Sequence, residues 1–149
     1  MNEDGTGATE LTDPPRACEW GAANLPFGDY DPRLNAAGTQ VVFERLEDDT
    51  SVHGNYNFFR MNVDGSGETR LSDTGYAQGL ASWSYSGAEI VFSVGAIEDE
   101  GHYRLHMMNA DGSNRRNVTP AYFPPEFLCH GAIFSRDDSM LFFVGEWWQ

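Results

Sequence analysis

A five-residue motif, Met-Asn-x-Asp-Gly, constrains the fold of this chain more than any other feature. It occurs at residues 1–5, 61–65 and 108–112. The first two copies run on to Leu-Thr-Asp (11–13) and Leu-Ser-Asp (71–73), and the third reaches Asn117-Val118-Thr119. Upstream lies a second repeated signal. Residues 38–43 (GTQVVF) align with 87–92 (GAEIVF) and with 138–143 (DSMLFF), and each is preceded by a short apolar segment centred on Leu34, Trp83 or Phe134. Self-similarity of this kind marks a repeat architecture, in which each unit is one supersecondary element that buries its apolar face only against its neighbours.

One unit reads as four strands. The Leu34, Trp83 or Phe134 segment comes first and is closed by a turn at Ala37-Gly38, Ser86-Gly87 or Asp137-Asp138. Val41-Val42-Phe43 and its equivalents are β-branched and aromatic, suited to burial on both faces. A third strand, 57–61 or 103–107, mixes polar and apolar residues. Asp-Gly then makes a tight turn into a polar outer strand near Glu68–Leu71. Four-stranded antiparallel units in tandem are the pattern of β-propeller blades. Asp64 and Asp111 stand 47 residues apart, close to the roughly 40–45 per blade of such arrays. Asp4 and Asp64 stand 60 apart, and the excess falls at 14–30, a Pro/Gly/Ala-rich stretch read as an inter-blade loop. The expected fold is all-β: a partial β-propeller of about three four-stranded antiparallel blades forming a single domain over 1–149. Two blades are whole, at 31–73 and 78–120. The third is split, its outer strand at 1–13 and its inner strands at 131–149.

These residues resemble the WD40-like repeat of TolB-type β-propellers, whose pattern joins an aromatic-Ser-Pro-Asp-Gly turn, an Ile-x-Phe strand and an aliphatic-Met-Asn-x-Asp-Gly hairpin ending in Leu-Thr. The resemblance covers residues 1 to about 145. It departs at the first turn, where 35–38, 84–87 and 135–138 all lack the Pro. The resemblance implies a binding or scaffolding module, in some cases fused to a peptidase; the fold alone does not assign function.

Charge narrows the partners. The net charge is −14, and all nine basic residues are Arg. So acidic a surface repels phosphate backbones and anionic headgroups, which argues against nucleic-acid binding and membrane docking. No apolar run approaches the roughly 18–20 residues of a membrane span, so membrane insertion is not expected. A salty habitat, a GC-rich genome and cation binding all fit the composition. The chain opens with acid and has no apolar segment after it, so no signal peptide is visible. An extracellular or periplasmic location then requires that a leader lie outside these residues.

Few residues point to chemistry. His102 and His106 are four apart and on a strand lie ~13 Å from each other, too far to share a metal directly. His53 and His130 stand alone. Neither a nucleophile elbow nor a His-Glu-x-x-His motif occurs. The acidic runs 48–49, 98–100 and 137–138 read as solvated loops. No catalytic residue, cofactor or enzymatic activity is expected. Asp64 and Asp111, in their Asp-Gly-Ser turns, are calcium candidates, although the hairpin explains them equally. Cys18 and Cys129 either form a disulfide joining the two ends of the array or remain free buried thiols. Asn117 begins an Asn-Val-Thr glycosylation triplet, followed by Pro120.

Three blades are too few for a ring, which typically takes 4–8. An open array exposes blade faces and strand edges. Two resolutions are physical: further blades in a longer polypeptide, or completion of the split blade by another copy, as a closed ring or a head-to-tail filament. Trp147 and Trp148 suit insertion into a neighbour, or else burial in their own blade. The favoured reading is a non-enzymatic structural or protein-binding module that self-assembles. The alternative is a substrate-recognition propeller domain of a larger hydrolase or transport-associated protein.

Overall fold

The computed structural model describes residues 1–21, 24–48, 54–95 and 103–147. Ten strands and no helix occur among them, and so no helix long and apolar enough to cross a membrane. Strands β1 (Gly28–Leu34), β2 (Gln40–Asp48), β3 (Asn55–Asn62) and β4 (Thr69–Arg70) form one antiparallel sheet in chain order. A second sheet repeats the arrangement with β5 (Gln78–Trp83), β6 (Glu89–Gly95), β7 (Tyr103–Asn109) and β8 (Arg116–Asn117). The third sheet has two strands, β9 (Phe127–Phe134) and β10 (Leu141–Trp147).

Every blade bends its innermost strand at the same place. Residues 31–32 oppose only Phe43, residues 80–81 only Phe92, and residues 131–132 only Phe143. These are β-bulges, which kink one strand and strengthen its twist. The first residue of each bulge, Asp31, Leu80 or Gly131, has a left-handed φ of 46°, 58° or 61°. Only Gly131 holds that conformation without steric cost. The turn that follows is also repeated: Gly38, Gly87 and Asp138 donate their N–H to the carbonyls of Asn35, Ser84 and Ser135. At the outer end, Leu71 N and Val118 N donate to Phe58 O and Leu105 O, while Ser72 Oγ and Thr119 Oγ1 accept from Phe58 N and Leu105 N. This explains the Leu-Ser and Val-Thr pairs that end each unit.

The core lies between the sheets. Val42, Phe58, Trp83, Ile90, Phe92 and Met108 pack between the first and second. Val91, Leu105, Met107, Cys129 and Ala132 pack between the second and third. Each large side chain so buried contributes about 1.5–3 kcal/mol. The first sheet is further braced by Arg45 on β2, which donates to Asp29 on β1 at 2.6 and 2.9 Å and to Glu68, before β4, at 2.8 and 3.0 Å. Among the described residues no strand of the first sheet touches the third. The array is open.

The structure corrects several expectations. Residues 1–13 are not a strand. They make the Asn2–Thr6 turn, with Asn2 N donating to Thr6 O and Gly5 N to Asn2 O, but no third strand lies beside Thr9 and Glu10 to pair with them. The segment read as the loop 14–30 contains a small antiparallel link, Trp20 to Pro26, and β1 begins inside it at Gly28. In the third blade the inner strand starts at Phe127, earlier than 131, because Pro124 O caps the turn before it by accepting from Phe127 N. The disulfide does not form: Cys129 is buried in β9 and Cys18 is exposed, both free. Only one of the two free thiols is therefore buried.

Candidate functional site

The N-terminal turn shows where the open array would continue. Asn2–Thr6, Asn62–Ser66 and Asn109–Ser113 share one hydrogen-bond set, including Asn Nδ2 to the Ser or Thr hydroxyl at 2.9, 3.0 and 2.8 Å. The second and third of these turns pack on the Leu that ends the preceding unit. A Cβ on Gly112 would lie 2.5 Å from Leu71 O, and one on Gly65 would lie 3.2 Å from Leu11 O. Leu11 thus stands to the first whole blade as Leu71 stands to the second. Residues 1–11 therefore sit where the outer edge of a preceding blade belongs.

The two end faces of the array are correspondingly bare. On β2 and β6, Val42 and Val91 are wholly buried by the next blade, at 0% exposure. Their equivalent on β10, Phe142, is 54% exposed, with Ile133, Met140 and Val144 exposed beside it. At the other end, Trp83 is 7% exposed against the blade before it, whereas its equivalent Leu34 is 61% exposed. The same contrast holds for buried Ala81 and Ala132 against exposed Pro32. Trp147, exposed at the end of β10, sets its ring edge-on to Phe127 at 5.2 Å. Trp148 lies outside the described residues. The sequence reading chose the tryptophans and missed Phe142, Ile133, Pro32 and Leu34, which repeat alignment places at inter-blade positions.

A cavity of about 600 Å³ opens where the inner strands converge, lined by Glu44, Tyr56, Gly79, Tyr103, His130 and Glu146 among others. All three sheets contribute. Glu44 follows the Phe43 that faces the bulge, and its Oε1 accepts the N–H of left-handed Leu80 in the next blade at 2.6 Å. Ser93, its equivalent on β6, accepts Gly131 N with Oγ at 3.1 Å. Burial pushes the Glu44 carboxyl up to about 7 despite the Leu80 amide, which favours the anion. Burial likewise raises the Tyr56 phenol to about 12. On the opposite wall, His130 Nε2 lies 3.1 Å from Glu146 Oε1, and its ring is 5.8 Å from that of Tyr103. Sequence reasoning set His130 aside as isolated and did not consider Glu44; alignment puts His130 and Gly79 at the same inner-strand step.

Other candidates have local roles. Asp64 Oδ1 and Asp111 Oδ1 each accept from the backbone and hydroxyl of the Ser two residues on, at 2.9 and 2.6 Å. Those serines hold both carboxyls below the usual range. The turn accounts for the two aspartates without an ion. Among the described residues no group of three or more His, Cys, Asp or Glu is placed to hold a metal. Asn117 on β8 accepts Thr119 N at 2.8 Å, so both polar ends of its triplet take part in closing the blade. His106 is half-buried against Phe92, and burial lowers it to about 4. His53, His102 and the acidic run 98–100 lie outside the described residues.

No known protein-family profile matches the chain. Solved structures do. An oligogalacturonate lyase in complex with manganese is 18% identical with a TM-score of 0.64, over 83% of this chain and 37% of that one. TolB from Acinetobacter baumannii is 12% identical with a TM-score of 0.58, over 78% and 27%. The chain has the fold of a partial β-propeller. A chain of a nidogen/laminin complex is similar over 78% of this propeller segment and 40% of its own length, at 17% identity and a TM-score of 0.58. The segment thus spans roughly a quarter to two fifths of the length of these three structures. At these identities the likeness concerns the fold alone.

Proposed function

We propose that this propeller segment is a non-enzymatic protein-binding module that associates with other copies of itself, the trailing face of β9–β10 in one copy covering the leading edge of β1 in the next. One observation carries the reading: Phe142 is half exposed at a position where Val42 and Val91 are buried by the following blade. The leading positions Pro32 and Leu34 lack the preceding blade that covers their equivalents. Two different bare faces that fit each other make a heterologous contact, which closes into a ring or runs on as a filament. The free edge of β10 offers strand addition as a second mode of the same association. The nidogen/laminin likeness, to a propeller-like chain found in a protein complex, supports protein binding. We place the module outside the cytoplasm, the setting that the family resemblance favours.

Light scattering on the intact chain is the direct test. Assembly at multiples of 16.6 kDa that is abolished by Phe142→Glu supports the reading; a monodisperse monomer contradicts it. The second reading, a recognition domain of a larger enzyme or transport-associated protein, draws on the small share of each matched structure that the segment covers. In that case further blades of the same polypeptide cover both faces.

A further inference from the structure

The cavity at the inner strands carries an inference apart from association, because none of Phe142, Ile133, Pro32 and Leu34 lines it. Its volume of about 600 Å³ is within the range of small-molecule sites, about 300–1,000 Å³. No Arg lines it, and the chain has no Lys, so an anionic ligand would meet no cation other than His130. That imidazole already faces Glu146. Glu44 is different. It is 5% exposed, yet it forms no ion pair among the described residues, and the field of Arg33 is the smallest influence on it. A buried carboxylate without a cation is costly, and such groups in clefts gather at functional sites.

The surroundings say what would relieve that cost. Gly79, with no side chain, lets the carboxyl lie against its backbone at the cavity wall: a Cβ there would lie 2.8 Å from Glu44 Oε2. Tyr56 and Tyr103 line the same cavity, and aromatic ring faces attract cations. A hard metal ion demands several oxygen ligands, and no group of three candidate ligands is gathered among the described residues. An organic cation needs one anionic anchor and aromatic walls. We propose that this cavity binds a small organic ammonium ion, with Glu44 as its anchor and Tyr56 and Tyr103 as its walls.

Isothermal titration of the full chain with 1,4-diaminobutane, against the uncharged 1,4-butanediol of the same length, tests this. The diamine is expected to bind saturably at one per chain and the diol not at all. Glu44→Gln should weaken the diamine at least about tenfold, the order expected when one partner of a buried charge pair is removed. Tyr103→Leu, which removes one aromatic wall and leaves the charge in place, should weaken it several-fold. Circular dichroism establishes that each variant is folded, and if Glu44→Gln is not, Tyr103→Leu decides alone. Absence of saturable binding, equal binding of the diol, or unchanged affinity in a folded variant would overturn the proposal.

Discussion

At the scale of residues, repeat equivalence converts positions into unequal costs. Gly65 and Gly112 both have a left-handed φ, 85° and 86°, so Ala at either is strained by about 1 kcal/mol. Their surroundings differ. The added Cβ would meet Leu71 O at 2.5 Å in Gly112→Ala but Leu11 O at only 3.2 Å in Gly65→Ala. Thermal melts should therefore show Gly112→Ala the more destabilising by about 1–2 kcal/mol; equal losses would mean that the turns do not pack blade on blade. Glu44 gives a pH signature. Unfolded, it releases its proton near its ordinary value of 4.5, whereas the folded chain holds it to about 7. The folded state binds more protons between those values, so this group's contribution to stability falls as pH rises from about 4.5 to about 7 and is level above. Glu44→Gln keeps a carbonyl for Leu80 N and removes the penalty. Its melting temperature relative to the parent should climb by a few degrees from pH 5 to pH 8, and parallel profiles would contradict the assignment.

At the scale of elements, the bulged inner strand joins one blade to the next. The left-handed residue turns its N–H away from its own ladder, and the preceding blade supplies the acceptor: Glu44 for Leu80, Ser93 for Gly131. Ser93→Ala leaves the Gly131 amide unpaired and should cost about 1–2 kcal/mol, measured by urea unfolding; no loss would show that the link does not hold the third blade. Sequence periodicity made strands β2, β6 and β10 and their preceding turns legible, because Val42, Ile90 and Leu141 sit in dense β-branched and aromatic runs flanked by Gly or Asp. The inner strands were harder to read. An extra residue at Asp31, Leu80 or Gly131 breaks the alternation of period two, which blurred where β1 and β9 begin. Residues 1–13 kept the turn chemistry of their repeat and still formed no strand, since an outer strand exists only beside a third strand. The cavity was illegible for a related reason: Glu44 and His130 are 86 positions apart in sequence, and only blade packing brings them to one space.

At the scale of the molecule, two whole blades and one half-blade leave an apolar face uncovered at each end of the array. Phe142, Ile133, Met140 and Val144 form an exposed apolar patch of the kind that marks protein interaction or aggregation. The net charge of −14 opposes close approach of two copies, and salt screens that repulsion within about 8–10 Å near physiological strength. Association should therefore tighten as salt is raised, the reverse of an assembly driven by ion pairs. The most direct measurement is sedimentation velocity of the intact chain and of Phe142→Glu, each across a salt series. The account predicts concentration-dependent assembly of the parent chain that strengthens with salt, and a monomeric variant with an unchanged circular dichroism spectrum. A parent chain that stays monomeric at every concentration and salt, or a variant that assembles equally well, would contradict it.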